Sequence, residues 1–186
     1  IPDFSQEPQT FENSSCKILN GKAVAQNIIT QKEKIRSACS QTKTTPHLFV
    51  FLVGNNPASR VYVNNKVKIF QQAQFKTTLC ELPENTSEKE LIEKIKTANI
   101  NKEVHGILVQ LPLPEHIQSE LILSSIDPNK DVDGFLPKNL GLLAQNSTEG
   151  FRACTPFGIM VLLAAYKIHV AGKHCVVIGR SSIVGK

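Results

Sequence analysis

A tyrosine and a lysine lie one helical turn apart, at Tyr62 and Lys66, within residues 53–66. Pro57 is typical of the first turn of a helix, where a missing backbone N–H costs nothing. On that helix positions i and i+4 share a face, so we expect the phenol and the amine to point the same way. Such a pair at the start of a strand–helix unit could do acid–base chemistry. The alternative is a solvated lysine on an ordinary amphipathic helix.

A second candidate is Gln110, which follows an apolar run and precedes a Leu-Pro-Leu-Pro segment that restricts the backbone. A side-chain amide at the carboxyl end of a strand could hold a lysine or a substrate carbonyl. It could equally be structural or solvated.

Two carboxylates alternate at Asp131 and Asp133, and they share one side if the segment is extended. Paired acids could bind a divalent metal, do acid–base work, or grip an aminopyrimidine by accepting two parallel N–H bonds. Because no further metal ligands lie nearby in the sequence, we expect no metal. An Asp-Gly turn with a solvated acid is the competing interpretation.

Residues 179–185 (Gly-Arg-Ser-Ser-Ile-Val-Gly) follow an apolar run and are predicted to open a helix, which is the context of a dinucleotide-binding turn. The spacing departs from G-x-G-x-x-G, because Ser181 stands where the second glycine would be. Arg180 and Ser181 could contact a phosphate, although a solvent-facing arginine is also compatible with the pattern.

The elements that must position these residues alternate between helix and strand. A helical stripe is predicted over residues 25–35, with later helices opening at Pro57, Ser87 (a capping box with Glu90), residue 115 and Thr155-Pro156, the threonine as N-cap. Strands are predicted over residues 47–53, 77–82, 106–111 and 174–178, and a loop over 127–135. This alternation predicts an α/β fold with a parallel sheet between helices, whose ligands bind at the carboxyl ends of the strands.

The composition agrees with a soluble globular protein: 41% of the residues are hydrophobic, 20% are charged and the formal net charge is +5. No run approaches the roughly 18 apolar residues of a membrane span, and no dense basic tract favours nucleic acid. The five cysteines are widely spaced without a C-x-x-C, so we expect a reducing compartment, the cytoplasm, with neither a disulfide framework nor a zinc site. Residues 1–16 lack the features of a secretory or mitochondrial targeting segment and are predicted to be a flexible extension.

Five segments, in order and at matching spacing, resemble the bifunctional methylenetetrahydrofolate dehydrogenase/methenyltetrahydrofolate cyclohydrolase family, the FolD family. They are V-G-N-N-P-A-S-R-V-Y-V-N-N-K (53–66), G-I-L-V-Q-L-P-L-P (106–114), K-D-V-D-G-F (130–135), C-T-P-F-G (154–158) and V-V-I-G-R-S-S-I-V-G-K (176–186). The chain departs from the family at Ala153, where proline is common. The family also continues past residue 186, so we expect this chain to be truncated at its C-terminus.

The resemblance implies a three-layer α/β/α folate-binding catalytic domain over residues 17–153. The start of a Rossmann-like NADP-binding domain would follow over 154–186. It implies NADP-dependent oxidation of 5,10-methylenetetrahydrofolate and hydrolysis of the methenyl product to 10-formyltetrahydrofolate. It further implies one-carbon metabolism serving purine biosynthesis, tetrahydrofolate derivatives as ligands, and a homodimer without nucleic-acid or membrane partners.

The resemblance also implies roles for individual residues. Lys66 is the expected catalytic lysine, Tyr62 lines the folate site, Gln110 positions and tunes the lysine, and Asp133 holds the pterin. The substrate site would also include Val109 and Leu111, and the cofactor loop would include Gly179, Arg180 and Ser181. Two alternatives are a folate-binding fragment without turnover and another two-domain NADP dehydrogenase of the shikimate dehydrogenase type; residues 110–114 and 131–135 argue against the second.

Overall fold

The computed structural model describes residues 11–13, 16–41 and 43–185, which contain five strands and seven helices. The strands are β1 (Phe11–Asn13), β2 (Cys16–Ile18), β3 (His47–Val53), β4 (Lys76–Leu82) and β5 (Gly106–Val109). The helices are α1 (Gly21–Thr30), α2 (Lys32–Gln41), α3 (Pro57–Gln72), α4 (Glu88–Ile100), α5 (Ser119–Ser124), α6 (Pro137–Ala144) and α7 (Cys154–Ala165). The chain divides into two compact units, one formed by Lys43–Arg152 and the other by the residues before and after it.

The unit Lys43–Arg152 is built on a three-stranded parallel sheet in the order β4-β3-β5. In its register Phe49 lies opposite Thr78 on one side and Ile107 on the other. The central strand β3 is apolar along most of its length because both of its faces are covered, which is typical of a parallel strand. The predicted parallel sheet between helices is therefore confirmed.

Helices cover the sheet on both faces. On one face, Phe51 and Ile107 pack with the fully buried Leu91 and Ile95 of α4. On the opposite face, Val50, Leu52 and Leu108 pack with Val63 of α3, together with further partly buried side chains. The unit is thus the three-layer α/β/α arrangement expected from the alternation of elements.

Two helices of this unit begin as their sequences indicate. Pro57 occupies the first turn of α3, and the Asn56 side chain accepts a hydrogen bond from the Ser59 N–H at 3.1 Å. The Ser87 hydroxyl accepts a bond from the Glu90 N–H at 3.1 Å at the start of α4. Two boundaries differ from expectation, because β5 ends at residue 109 and α5 begins only at residue 119 after a turn. The helix α6 was not predicted.

The second unit contains the antiparallel pair β1–β2 and the helices α1, α2 and α7. Its buried apolar cluster joins Val24 of α1 to Ala165 and Tyr166 at the end of α7. The Asn20 N–H donates to the Tyr166 hydroxyl at 2.7 Å. Residues 17–41, which were predicted to belong to the catalytic domain, group with residues after 152 because of these contacts. Of the extension predicted over residues 1–16, residues 1–10, 14 and 15 lie outside the described part.

Three local predictions for this unit are wrong. Residues 25–35 form two helices separated at Gln31 rather than one. The N-cap of α7 is Ala153, without a side-chain cap bond, so Thr155 lies inside the first turn. Residues 174–178 form no strand: Val176 is 73% exposed and Ile178 is 98% exposed. A parallel strand requires a neighbour for its backbone hydrogen bonds, and no described strand pairs with this segment.

Within the described ranges, none of the helices is both long enough and apolar enough to cross a membrane.

Candidate active site

The amine of Lys66 and the amide of Gln110 meet although the residues are 44 positions apart. The Lys66 Nζ donates to the Gln110 Oε1 at 3.2 Å, and both side chains are partly buried. The lysine comes from the third turn of α3, and Gln110 is the first residue after β5. The parallel sheet brings these elements together, because α3 follows β3 and β5 lies beside β3. The contact matches the expected pairing of the two residues.

The Nε2 end of the Gln110 amide determines how the amide is oriented. The Gln110 Nε2 donates to the Leu111 carbonyl oxygen at 2.7 Å, which leaves Oε1 directed at Lys66. The Leu111 carbonyl also accepts from the hydroxyl of the buried Ser59 at 3.4 Å, and the Gln110 N–H donates to the Phe51 carbonyl at 2.9 Å. The Gln110–Leu111 segment is therefore held by β3 and by α3.

The hydrogen-bond partner of Lys66 carries no charge. In the part of the chain that the structure describes, Lys66 forms no ion pair, and the group to which it donates is a neutral amide. An amide carries no charge, so Lys66 is not engaged in an ion pair there, and its remaining hydrogen-bond donors are available to a ligand. The arrangement can therefore support acid–base chemistry.

Tyr62 lies one turn before Lys66 on α3, and 62% of its surface is exposed. An exposed aromatic ring beside a polar pair offers a flat apolar face with a hydroxyl at its edge. Val109, by contrast, is only 2% exposed, so its side chain belongs to the core of the sheet. The neighbouring Leu111 is partly buried.

The two aspartates do not form a matched pair. Asp131 is 2% exposed, and its carboxylate accepts bonds from backbone and amide N–H groups. The chain turns immediately afterwards, with the Gly134 N–H donating to the Asp131 carbonyl at 3.1 Å and Gly134 at φ 67°. The segment is therefore not extended, and of the two interpretations left open by the sequence the Asp-Gly turn is the one present, although Asp131 is buried rather than solvated. Asp133 lies on the turn and is partly buried, next to Val132, which packs on the α3 face of the sheet.

A recess lies at the carboxyl ends of β3 and β5. It has a volume of about 350 Å³ and is lined by Val53, Gly54, Asn55, Asn56, Glu84, Pro112, Leu113 and Pro114. A neighbouring recess of about 750 Å³ shares three of these residues and extends to His116. Neither lining includes Lys66, but the first is formed by the segments that lead into α3 and away from Gln110. Among the described residues, no group of three metal-ligating side chains is close enough to hold a metal ion.

In the other unit, the residues predicted to bind a cofactor form a tight turn. The Ser181 hydroxyl accepts from the Val184 N–H at 3.2 Å, and the Gly185 N–H donates to the Ser181 carbonyl at 2.9 Å. Gly185 lies so close to the backbone of Gly179 that an added Cβ would overlap it. Arg180 is exposed beside this turn. A glycine-closed turn with an exposed guanidinium fits a phosphate group, and the use of this loop for a cofactor stays a prediction.

Three residues that organise the site were not predicted from the sequence. Ser59 reads as a surface position in the first turn of a helix, yet it is 2% exposed. Lys130 and Asn139 also hold the loop around Asp133, as described below. Asn56 could have been recognised as a helix cap, because it directly precedes a proline at a helix start. The residues around Ser59, Lys130 and Asn139 carry no comparable signal.

Comparison with known proteins matches both parts of the chain. The family described as tetrahydrofolate dehydrogenase/cyclohydrolase, catalytic domain, matches residues 19–133, and its NAD(P)-binding domain matches residues 153–186. The bifunctional protein FolD of Flavobacterium johnsoniae is 48% identical over 171 residues, covering 91% of this chain and 58% of the relative. That of Prosthecochloris aestuarii is 45% identical over 171 residues, with the same coverage.

Solved structures agree with these matches. The FolD methylenetetrahydrofolate dehydrogenase/cyclohydrolase of Campylobacter jejuni has a TM-score of 0.86 and 46% identity, covering 90% of this chain and 59% of that one. The FolD of Trypanosoma brucei, solved with NADP and an inhibitor, has a TM-score of 0.85 and 34% identity, covering 89% and 57%. The chain thus spans about 58% of the length of the curated relatives that it matches.

Proposed function

Because this chain belongs to the tetrahydrofolate dehydrogenase/cyclohydrolase family, we propose that its protein acts in one-carbon folate metabolism. The proposed reactions are the NADP-dependent oxidation of 5,10-methylenetetrahydrofolate to the 5,10-methenyl form and hydrolysis of that product to 10-formyltetrahydrofolate. The observation that carries the proposal is the 3.2 Å hydrogen bond between Lys66 and Gln110, which places an amine beside a neutral, oriented amide.

The hydrolysis requires proton transfers that an amine can perform. Water adds to the positively charged methenyl carbon and loses one proton, which gives a neutral carbinolamine. One carbon–nitrogen bond then breaks, the departing nitrogen takes up a proton, and the carbon remains as a formyl group on the other nitrogen. In the proposed mechanism the Lys66 Nζ accepts the first proton from water and returns it to the departing nitrogen. The second proton of that water, on the carbinolamine hydroxyl, passes to solvent as the formyl C=O forms, so the net reaction releases one proton. Gln110 holds the amine without adding a negative charge that would retain the proton.

Substrate binding is proposed to use the residues around this pair. Tyr62 would stack its exposed ring on the planar part of the folate, because large exposed aromatic faces favour such contact. Asp133 would accept two N–H bonds from the aminopyrimidine edge of the pterin. Leu111 and the backbone of Val109 would line the same site, next to Gln110.

The cofactor is proposed to be NADP, in keeping with the turn at residues 179–185 and with the NADP-bound relative from Trypanosoma brucei. Gly179, Arg180 and Ser181 would hold its phosphates through backbone N–H groups, a guanidinium and a hydroxyl. When bound, NADP supplies the hydride acceptor for the oxidation.

We extend the proposal to the setting of the enzyme: a homodimer in the cytoplasm that supplies one-carbon units to purine biosynthesis. The dimer and the link to purine biosynthesis are supported by the resemblance to the family. The cytoplasm is supported by the cysteine pattern, which suits a reducing compartment.

The test compares Lys66→Met with Lys68→Met in the full-length protein that carries this chain. Lys68 is exposed on the same helix, so its replacement removes the same charge away from Gln110. Loss of methenyltetrahydrofolate absorbance reports the hydrolysis, and NADPH formation from methylenetetrahydrofolate reports the oxidation. We expect the hydrolysis to fall at least about a hundredfold in Lys66→Met, in line with the loss of a general acid–base group, and to be unchanged in Lys68→Met.

Full hydrolysis by Lys66→Met would refute the role of the lysine. If the unaltered protein binds 5-formyltetrahydrofolate yet shows neither activity, the enzymatic proposal is wrong and the chain is a folate-binding module.

A further inference from the structure

The turn that carries Asp133 is tied to α4 on its upstream side. The Lys130 Nζ donates to three carbonyl oxygens at the end of that helix: Ala98 at 3.2 Å, Asn99 at 2.6 Å and Asn101 at 2.8 Å. The last carbonyls of a helix lack intrahelical hydrogen-bond donors and carry partial negative charge. An ammonium group supplies the missing donors and neutralises part of that charge. Lys130 therefore fixes the start of the turn to a rigid element.

On its downstream side the turn is tied to α6 through a buried carboxylate. Asp131 accepts bonds from the Phe135 N–H at 3.2 Å, the Leu136 N–H at 2.9 Å and the Asn139 Nδ2 at 2.8 Å. Asn139 is itself 2% exposed, and its amide also contacts the Pro128 carbonyl at 3.3 Å. Its oxygen accepts from the Phe151 N–H at 3.1 Å, so the amide orientation is determined.

These bonds specify one conformation of the turn. Asp131 has no cationic partner within the described ranges, so N–H donors alone stabilise its buried charge. A buried carboxylate that loses a donor is costly, and the turn must keep the geometry that supplies all three. The Ile107 N–H also donates to the Lys130 carbonyl at 2.8 Å, which joins the same turn to β5.

We propose that Asn139 and Lys130 are positioning residues that act on folate binding through Asp133. Asp133 lies between the two anchors, so its carboxylate occupies a place set by α4, α6 and β5 rather than by its own contacts alone. Two parallel N–H bonds to an aminopyrimidine require such placement, since a displacement of about 1 Å disrupts bidentate geometry. This inference rests on the proposed role of Asp133 in holding the pterin.

A purely structural role predicts a different outcome. If Asn139 only stabilises the fold, its replacement lowers the melting temperature and leaves the affinity for folate largely intact. If it acts through Asp133, its effect on affinity must disappear once the Asp133 carboxylate has been removed. A double-mutant cycle separates these cases.

The experiment measures the dissociation constant of 5-formyltetrahydrofolate by calorimetry for the full-length protein and for Asn139→Ala, Asp133→Ala and the double variant. We expect Asp133→Ala to weaken binding about tenfold or more, because a charge-assisted contact is lost. Asn139→Ala should weaken binding about three- to tenfold alone, but less than about twofold in the Asp133→Ala background. The melting temperature should fall by a similar amount in both backgrounds.

Lys130→Met provides a second route if Asn139→Ala does not fold. Its matched control is Lys102→Met, which removes the same charge from an exposed position just after α4. We expect a weaker affinity for Lys130→Met, an unchanged affinity for Lys102→Met, and recovery in Lys130→Arg, whose side chain can still donate to the carbonyls.

Additive effects of Asn139→Ala and Asp133→Ala on binding would overturn the positioning role while leaving the proposed function intact. An unchanged affinity in Asp133→Ala would instead remove the proposed role of Asp133 itself, and with it this inference.

Discussion

Replacing Gln110 by glutamate would test how the amide serves Lys66. The two ends of the amide bind different partners, since Oε1 accepts from Lys66 at 3.2 Å and Nε2 donates to the Leu111 carbonyl at 2.7 Å. Gln110→Glu has nearly the same shape. It places a negative charge beside the amine and puts an oxygen where the donor to Leu111 was.

The distance gives the size of the effect. Two unit charges 3.2 Å apart attract by about 5 kcal/mol at an effective dielectric constant near 20. Because Lys66 and residue 110 are both only partly buried, water screens this attraction. Even roughly a third of it, ~1.5 kcal/mol, makes the uncharged amine about tenfold rarer. The lost bond to Leu111 costs about 1 kcal/mol and partly offsets the gain in stability.

The assay follows methenyltetrahydrofolate hydrolysis from pH 6 to pH 10. For Gln110→Glu we expect at least a tenfold loss of rate at pH 7 that is partly regained at higher pH, with a free energy of unfolding within about 1 kcal/mol of the parent. Gln71→Glu adds the same charge at an exposed position near the end of α3 and should behave like the parent. A parental rate for Gln110→Glu at pH 7 would refute the idea that the amine must be free to lose its proton.

Three further outcomes concern stability. Burial lowers the pKa of His47, so the folded state takes up a proton less readily than the unfolded state. The free energy of unfolding should therefore be full above about pH 6.5 and fall below it. Urea unfolding at pH 7.5 and at pH 5.0 measures this fall, which should be smaller in His47→Gln. Ile95→Ala should lower the free energy of unfolding by about 2–5 kcal/mol, because Ile95 is fully buried; Ile100→Ala, at an 80% exposed position, should change it by less than about 0.5 kcal/mol. Glu81→Gln breaks a 2.6 Å ion pair with Arg60 between side chains that are 49% and 40% exposed, so chemical denaturation should detect a loss of less than about 1 kcal/mol. A larger loss would contradict the assumed screening of this pair by solvent.

The sequence predicted those features of the fold that depend on neighbouring residues. Pro57 marked the start of α3, Ser87 capped α4 through Glu90, and the apolar residues 47–53 formed the central strand. Each of these signals acts within a few residues, so no knowledge of distant partners was needed. The pairing of Lys66 with Gln110 was implied by the resemblance to the FolD family, whereas the residues alone left Gln110 open between a contact with a lysine and a structural or solvated role.

What the sequence could not predict depends on partners far along the chain. The sequence left Asp131 open between a paired acid and an acid in an Asp-Gly turn, and its burial depends on donors that include Asn139 on α6, a helix that was not predicted although it begins at a proline. Residues 174–178 have the composition of a strand, yet a strand also requires a neighbour. Ser59 appears polar and surface-exposed until the Leu111 carbonyl is placed beside it.

The close packing of Gly106 against Val132 has a consequence for how the family can vary. A Cβ on residue 106 would collide with the Val132 side chain, so the first residue of β5 and the residue preceding Asp133 compete for the same space. Any larger residue at 106 therefore requires a smaller residue at 132, a different rotamer of Val132, or a shift of the turn together with the Asp133 carboxylate. The two positions should co-vary among homologues. A substitution of Gly106 alone should be tolerated less well than is usual for the first residue of a buried strand.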